Sequence, residues 1–142
     1  MRIEHAALYV RDLEGARAFF ERYFGAVSGP MYHNSRTDFR SYFLSFDGGA
    51  RLELMTRPQM EEADPAQSRL GYAHLAFSAG SREEVDRVYG QVKDLPGVTI
   101  VSPPKLWAEY TPDYYAFFFK DPDGIKLEVV HFDRRGWFGG SV

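Results

Sequence analysis

The sequence predicts an α+β fold made of two βαβββ modules, and three observations predict it. The chain repeats itself: IEHAALYV, DLEGARAFFERYFG and RSYFLSFDGGARLELM in the first half are answered by GYAHLAFS, SREEVDRVYGQV and YYAFFFKDPDGIKLEVV in the second. Each half passes from an alternating segment to a stripe of helical period and back to alternating segments. Turn-forming clusters, Asp47-Gly48-Gly49 and Asp121-Pro122-Asp123-Gly124, separate the last two strands of each half.

In the first half, residues 3–10 alternate, with Ile3, His5, Ala7 and Tyr9 on one face of a strand. Asp12 occupies an N-cap position, Leu13, Ala16, Phe20 and Phe24 follow at helical spacing, and Gly25 ends the run. A short segment holding Gly29 and Pro30 comes next, and then RSYFLSF and ARLELM form a hairpin. In the second half, Tyr72, His74, Ala76 and Ser78 share a strand face. Ser81 and Glu84 form a capping-box pattern, and Val85, Val88, Tyr89 and Val92 make the buried helix stripe. Strands are expected at about 98–102, 114–119 and 125–131.

These elements suggest a single domain over residues 1–142, with modules at about 1–57 and 70–132. The polar segment 58–69, PQMEEADPAQSR, reads as a linker, and 133–142 as an irregular tail in which Trp137 or Phe138 docks against a neighbour. Neither half, at roughly sixty residues, would be comfortable alone.

An apolar share of 44% with 16% aromatic residues argues for a packed globule. The net charge of −3, with Lys and Arg scattered among Asp and Glu, provides no basic stripe for nucleic acid. The chain has no cysteine, which excludes disulfides and thiolate metal sites, so any metal must be held by nitrogen and oxygen. The N-terminal MRIEHAALYVRDLE is too charged for a signal peptide and no apolar run approaches a membrane span, so a cytoplasmic protein without a membrane partner is expected.

The repeat also matches His5 with His74 and Glu53 with Glu128. Strand alternation turns all four away from the leucines, valines and phenylalanines that belong under the helices. Taken singly, each is an ordinary strand residue, but packing does not require the same polar pair twice. Two carboxylates brought together repel and need an offsetting cation. Two imidazoles with two carboxylates suit nickel, cobalt, zinc, manganese or iron better than calcium or magnesium. With these four ligands, an octahedral ion keeps two positions for water or substrate.

Other candidates are less defined. His33 and His131 have no counterpart in the other half. The aromatic segment before the strand at 114–119 reads as a substrate-covering loop, with Trp107, Tyr110 and Tyr115 as candidate substrate contacts. Arg36 and Arg40, in the polar HNSRTDFR, are candidates for a carboxylate or phosphate clamp. There is no Gly-rich phosphate loop, no HExxH, no nucleophile elbow and no cysteine nucleophile.

HAALYVRDLEGARAFFERYFG near the start and FFFKDPDGIKLEVV near the end resemble the vicinal oxygen chelate superfamily, and the similarity covers residues 1 to about 132. That group includes glyoxalase I, fosfomycin resistance proteins, methylmalonyl-CoA epimerase, extradiol dioxygenases and metal-free bleomycin resistance proteins. The resemblance implies paired βαβββ modules whose mixed sheets curl into a cup around one divalent metal ion. His5, Glu53, His74 and Glu128 fall on the His, Glu, His, Glu ligand pattern of glyoxalase I. The epimerase carries glutamine at the second position and the fosfomycin enzymes lack the glutamate there.

The implied activity is that of a lyase or isomerase which moves a proton on a small oxygenated substrate, such as a thiol adduct, through a metal-stabilised enediolate, with Glu128 or Glu53 carrying the proton. The arginine and asparagine contacts that glyoxalase I makes to its glutathione adduct have no clear match in GPMYHNSRTDFRS or MTRPQM, which leaves the substrate open. Two alternatives are an extradiol dioxygenase, against which the additional Glu53 counts, and a metal-free drug-binding protein. The resemblance further implies a homodimer.

Overall fold

A computed structural model describes residues 2–62 and 70–133. The chain divides into two units, Met1–Glu62 and Ala63–Val142, a boundary that falls inside the expected 58–69 linker. Most of that linker, and the tail with Trp137 and Phe138, lie outside the described residues.

The first unit runs β1 (His5–Tyr9), α1 (Leu13–Phe24), β2 (Val27–Ser28), β3 (Tyr32–Asn34), β4 (Phe39–Ser45) and β5 (Arg51–Thr56). Helix α1 starts where the Asp12 carboxylate accepts the Gly15 N–H at 2.9 Å. It stops at Gly25, which adopts φ 66° and donates its own N–H to the Phe20 carbonyl. The sheet order is β1-β5-β4-β2, with β3 also on β4; β1 and β5 are parallel and the other pairs antiparallel. The segment holding Gly29 and Pro30 supplies strand in two pieces, because Pro30 has no N–H to give while Gly29 N–H still reaches Phe43 O at 2.9 Å.

Tyr42, Leu44, Leu52 and Leu54 are buried on one face of this sheet, and α1 packs on β4 and β5 with Leu13 and Phe20 buried. Burying a side chain such as Leu54 stabilises by roughly 1.5–3 kcal/mol. Alternation then turns Glu53 and Met55 to the other face.

The second unit runs β6 (Leu75–Ser78), α2 (Arg82–Val92), β7 (Thr99–Leu106), β8 (Tyr115–Lys120) and β9 (Lys126–His131), with sheet order β6-β9-β8-β7. Ser81 caps α2 by accepting the Glu84 N–H at 3.1 Å, and Glu84 reaches back to the Gly80 N–H at 2.6 Å. Val85, Val88 and Val92 of α2 are buried together with Phe117, Phe119, Leu127 and Val129 of the sheet. Each unit therefore has a mixed sheet with one helix on one face, and the chain is of the α+β class.

Two strand boundaries differ from the expectation. β6 begins only at Leu75, so Tyr72 and His74 precede it. β7 extends past 102 through Pro103 and Pro104 to Leu106. Two prolines would break a central strand, but β7 is the edge of its sheet, and register shifts at Ile100/Ser102 and Ser102/Lys105 accommodate them. Among the described residues no helix is long and apolar enough to cross a membrane.

Candidate metal centre

In the second unit, β9 presents Lys126, Glu128 and Val130 on the sheet face away from α2. β8 presents Ala116 and Phe118 there, with Phe118 directly opposite Glu128. Because β6 runs parallel to β9 with Ala76 beside Glu128, the two-residue period brings His74 to the same face. His74 Nε2 lies 3.1 Å from Glu128 Oε2. Glu128 is only 2% exposed, so its carboxylate requires partners. His74 is one, and the Tyr114 hydroxyl, which donates to Glu128 Oε1, is the other. Burial and this carboxylate raise the Tyr114 hydroxyl pKa well above the ordinary tyrosine value, so the hydroxyl keeps its proton.

Ala116, Phe118 and Val130 form an apolar floor, with Trp107, Tyr114 and Phe132 packed against it. Above it opens a cavity of about 370 Å³ whose lining includes His74, Trp107, Tyr110, Tyr114, Phe118 and Glu128. Trp107 and Tyr110 stack with ring centroids 5.7 Å apart and planes at 10°. Lys126 contributes a cation to the wall, 5.0 Å from the Phe118 ring centroid.

The first unit repeats the pattern. Glu53 pairs with Ala7 of β1 and with Phe43 of β4, and His5 sits two residues before Ala7, on the same face. Glu4 receives His5 Nδ1 through one carboxylate oxygen and Arg51 Nε, at 2.6 Å, through the other. The His5 hydrogen bond first, and Arg51 second, hold the Glu4 carboxyl below its ordinary range. An ionised carboxylate accepts only, so Nδ1 is the donor in this hydrogen bond and Nε2 is the ring nitrogen left to face away from Glu4.

The match extends beyond the two donors. His5 meets Phe43 edge-on at 5.3 Å, as His74 meets Phe118 at 6.0 Å. Arg51 lies 4.2 Å over Phe43, as Lys126 lies over Phe118.

Two donors about 2.1 Å from one ion and at right angles to each other are about 3 Å apart. The His74 and Glu128 pair has that spacing, and imidazole with carboxylate is a donor set for a first-row divalent ion. Among the described residues no group of three or more His, Asp or Glu side chains gathers that could hold a metal ion.

Of the remaining candidates, Trp107 and Tyr110 line the cavity. Tyr115 does not: its hydroxyl donates to Asp86 on α2 at 2.6 Å, on the opposite face of the sheet. Arg36 lies in the turn between β3 and β4 in the first unit, its backbone N–H donating to Asn34. Arg40 is in strand β4 rather than in a loop and pairs with Asp38 at 3.0 Å. His33 also binds Asp38, at 2.9 Å, and His131 Nδ1 lies 3.0 Å from the Ala79 carbonyl.

Sequence reasoning missed Tyr114 as the partner of Glu128, and the cation above each phenylalanine. A signal existed for the second: Phe43 with Arg51 and Phe118 with Lys126 stand at the same offsets from the two glutamates.

Comparison with known proteins matches residues 2–129 to the family described as Glyoxalase/Bleomycin resistance protein/Dioxygenase superfamily. The uncharacterised protein YwkD of Bacillus subtilis is 30% identical over 128 residues, covering 89% of this chain and 94% of that one. A V278E mutant of glyoxalase I from Zea mays superposes with a TM-score of 0.71 at 22% identity, covering 91% of this chain and 44% of that one. The fosfomycin resistance protein FosX of Listeria monocytogenes, complexed with Mn(II) and sulfate, superposes with a TM-score of 0.67 at 24% identity, covering 94% of this chain and 93% of that one. A family match over this span, on a chain with a βαβ-type first strand, helix and hairpin in each half, means that the protein belongs to the Glyoxalase/Bleomycin resistance protein/Dioxygenase superfamily.

Proposed function

We propose that the protein is a metal-dependent lyase or isomerase of the glyoxalase I type, moving a proton between adjacent carbons of a small oxygenated substrate such as a thiol adduct. The observation that carries this reading is the 3.1 Å spacing of His74 Nε2 and Glu128 Oε2 at the wall of an aromatic cavity. The same donor types recur at His5 and Glu53. These four residues would hold one nickel, cobalt, zinc, manganese or iron ion. The Mn(II) of FosX supports a divalent ion in this superfamily.

Such an ion, when bound, supplies positive charge that stabilises oxygen anions developing on the substrate. Glu128 and Glu53 are the carboxylates suited to take a proton from one carbon and return it to the next. Trp107 and Tyr110 would cover the substrate and exclude water, which strengthens every charge interaction inside. Arg36 and Arg40 are candidate contacts for an anionic group on the substrate. A cytoplasmic homodimer is part of the same proposal: β1 and β6 each form the edge of their sheet, and an unpaired strand edge invites a further strand.

One specific observation favours a second reading. The aromatic lining by Trp107, Tyr110, Tyr114 and Phe118 suits an apolar ligand without any metal, as in a drug-binding protein. Plasma mass spectrometry of protein purified without an affinity tag or chelator separates the two. About one equivalent of a divalent transition metal per four-donor set, lost in His74→Ala, is expected. No metal, with no uptake on adding these ions, would overturn the lyase reading in favour of the binding protein.

A further inference from the structure

Glu53 and Glu128 match in the repeat, yet their surroundings differ at one point. Counting back from the phenylalanine opposite each glutamate, the position four residues before Phe118 is Tyr114 and the position four before Phe43 is Phe39. Among the described residues a tyrosine hydroxyl therefore reaches Glu128, while the matching Phe39 has none to offer Glu53. Tyr114 is itself held firmly. Its ring packs against Phe132 at 4.9 Å and Tyr110 at 5.2 Å, and its carbonyl accepts the Trp107 N–H at 2.7 Å across the base of the β7–β8 hairpin. Its hydroxyl donates to Oε1 of Glu128, and Oε2 is the oxygen that faces His74.

We propose that Tyr114 is a positioning residue for Glu128: by holding Oε1 it fixes the carboxylate so that Oε2 alone is presented beside His74 to a divalent ion. The inference rests on the metal-dependent reading above and adds a residue to it. A carboxylate on a two-bond stem sweeps several rotamers, and fixing one in advance removes an ordering penalty from ion binding. Without the hydroxyl, Oε1 loses its donor and Glu128 is free to turn either oxygen towards the ion. Phe39 provides no such bond to Glu53, so the two matched glutamates are not equivalent.

The test is Tyr114→Phe, which keeps the ring and its packing. Metal-stripped protein is titrated with cobalt(II), nickel(II) or manganese(II) against a chromophoric chelator, and the visible spectrum of the cobalt form is recorded. Tyr42→Phe serves as the control, because it deletes a tyrosine-to-glutamate hydrogen bond of the same kind, 2.6 Å to Glu14, in the other unit. The expected result is ion affinity weakened about 10- to 100-fold in Tyr114→Phe with a shifted cobalt spectrum, and neither change in Tyr42→Phe.

A second measurement isolates the path of the effect. In a Glu128→Ala background, which removes the oxygen that the hydroxyl holds, adding Tyr114→Phe should weaken binding by less than about twofold. Parent-like affinity and spectrum in Tyr114→Phe, or a full additional loss in the Glu128→Ala background, would overturn the positioning role while leaving the metal reading intact. A parent protein that takes up none of the three ions would overturn both.

Discussion

Tyr114 and Tyr115 are neighbours in the chain and face opposite sides of the second sheet: the Tyr114 hydroxyl donates to Glu128, and the Tyr115 hydroxyl donates to Asp86 of α2 at 2.6 Å. One supports the cavity and the other ties the helix to the sheet. Tyr115→Phe should therefore lower the unfolding free energy by about 0.5–1 kcal/mol, since a largely exposed hydrogen bond is lost, and leave ion affinity unaltered. Urea unfolding and the chelator titration measure the two quantities. Weakened ion binding with unchanged stability would contradict the assignment of faces.

Glu128→Gln keeps the shape of the side chain and an oxygen to accept the Tyr114 hydroxyl, but removes the charge. Turnover on the true substrate is expected to fall about 10²- to 10⁴-fold, with stability within about 1 kcal/mol of the parent. Steady-state kinetics beside thermal unfolding checks this. Full activity in the variant would exclude Glu128 from the proton transfer.

Asp121 makes the fold sensitive to pH. It starts the Asp-Pro-Asp-Gly turn, is 7% exposed, and accepts the N–H groups of Asp123 at 2.9 Å and Ile125 at 3.0 Å through Oδ1. Burial pushes its carboxyl up from 3.8 to about 6, against the opposing pull of the Ile125 N–H. The folded chain thus binds this proton more tightly than the unfolded chain. Its contribution to stability is fully present below about pH 4 and is lost as the pH rises through about 6.

Asp121→Asn keeps the accepting oxygen and cannot ionise. It should exceed the parent in stability by about 1–2 kcal/mol near neutral pH, and the difference should vanish towards about pH 4. Urea midpoints across this range give the answer, and a pH-independent difference would contradict the raised carboxyl.

Phe117 is fully buried on the helix face of β8, edge-on to Tyr89 of α2 at 5.4 Å and stacked on Phe119 at 5.4 Å. Phe117→Ala leaves a cavity between sheet and helix and is expected to cost about 3–5 kcal/mol, measured by chemical denaturation. A loss below about 1 kcal/mol would mean that α2 is not anchored through this ring.

The sequence by itself determined the two-module plan, both helix N-caps, and the sheet face on which Glu53 and Glu128 stand. These are local properties: the period of a strand or helix and the chemistry of a cap are set within a few residues, and the repeat states them twice. Tertiary structure alone decided the rest. Pro103 and Pro104 belong to a strand because β7 lies at the edge of its sheet, and strand order is not written in any one segment. Tyr114 rather than Tyr115 meets Glu128 because the register between β8 and β9 chooses which of two adjacent side chains faces the cavity. A slip of one residue would exchange them, and that register is fixed only when Phe117, Phe119, Leu127 and Val129 bury themselves under α2.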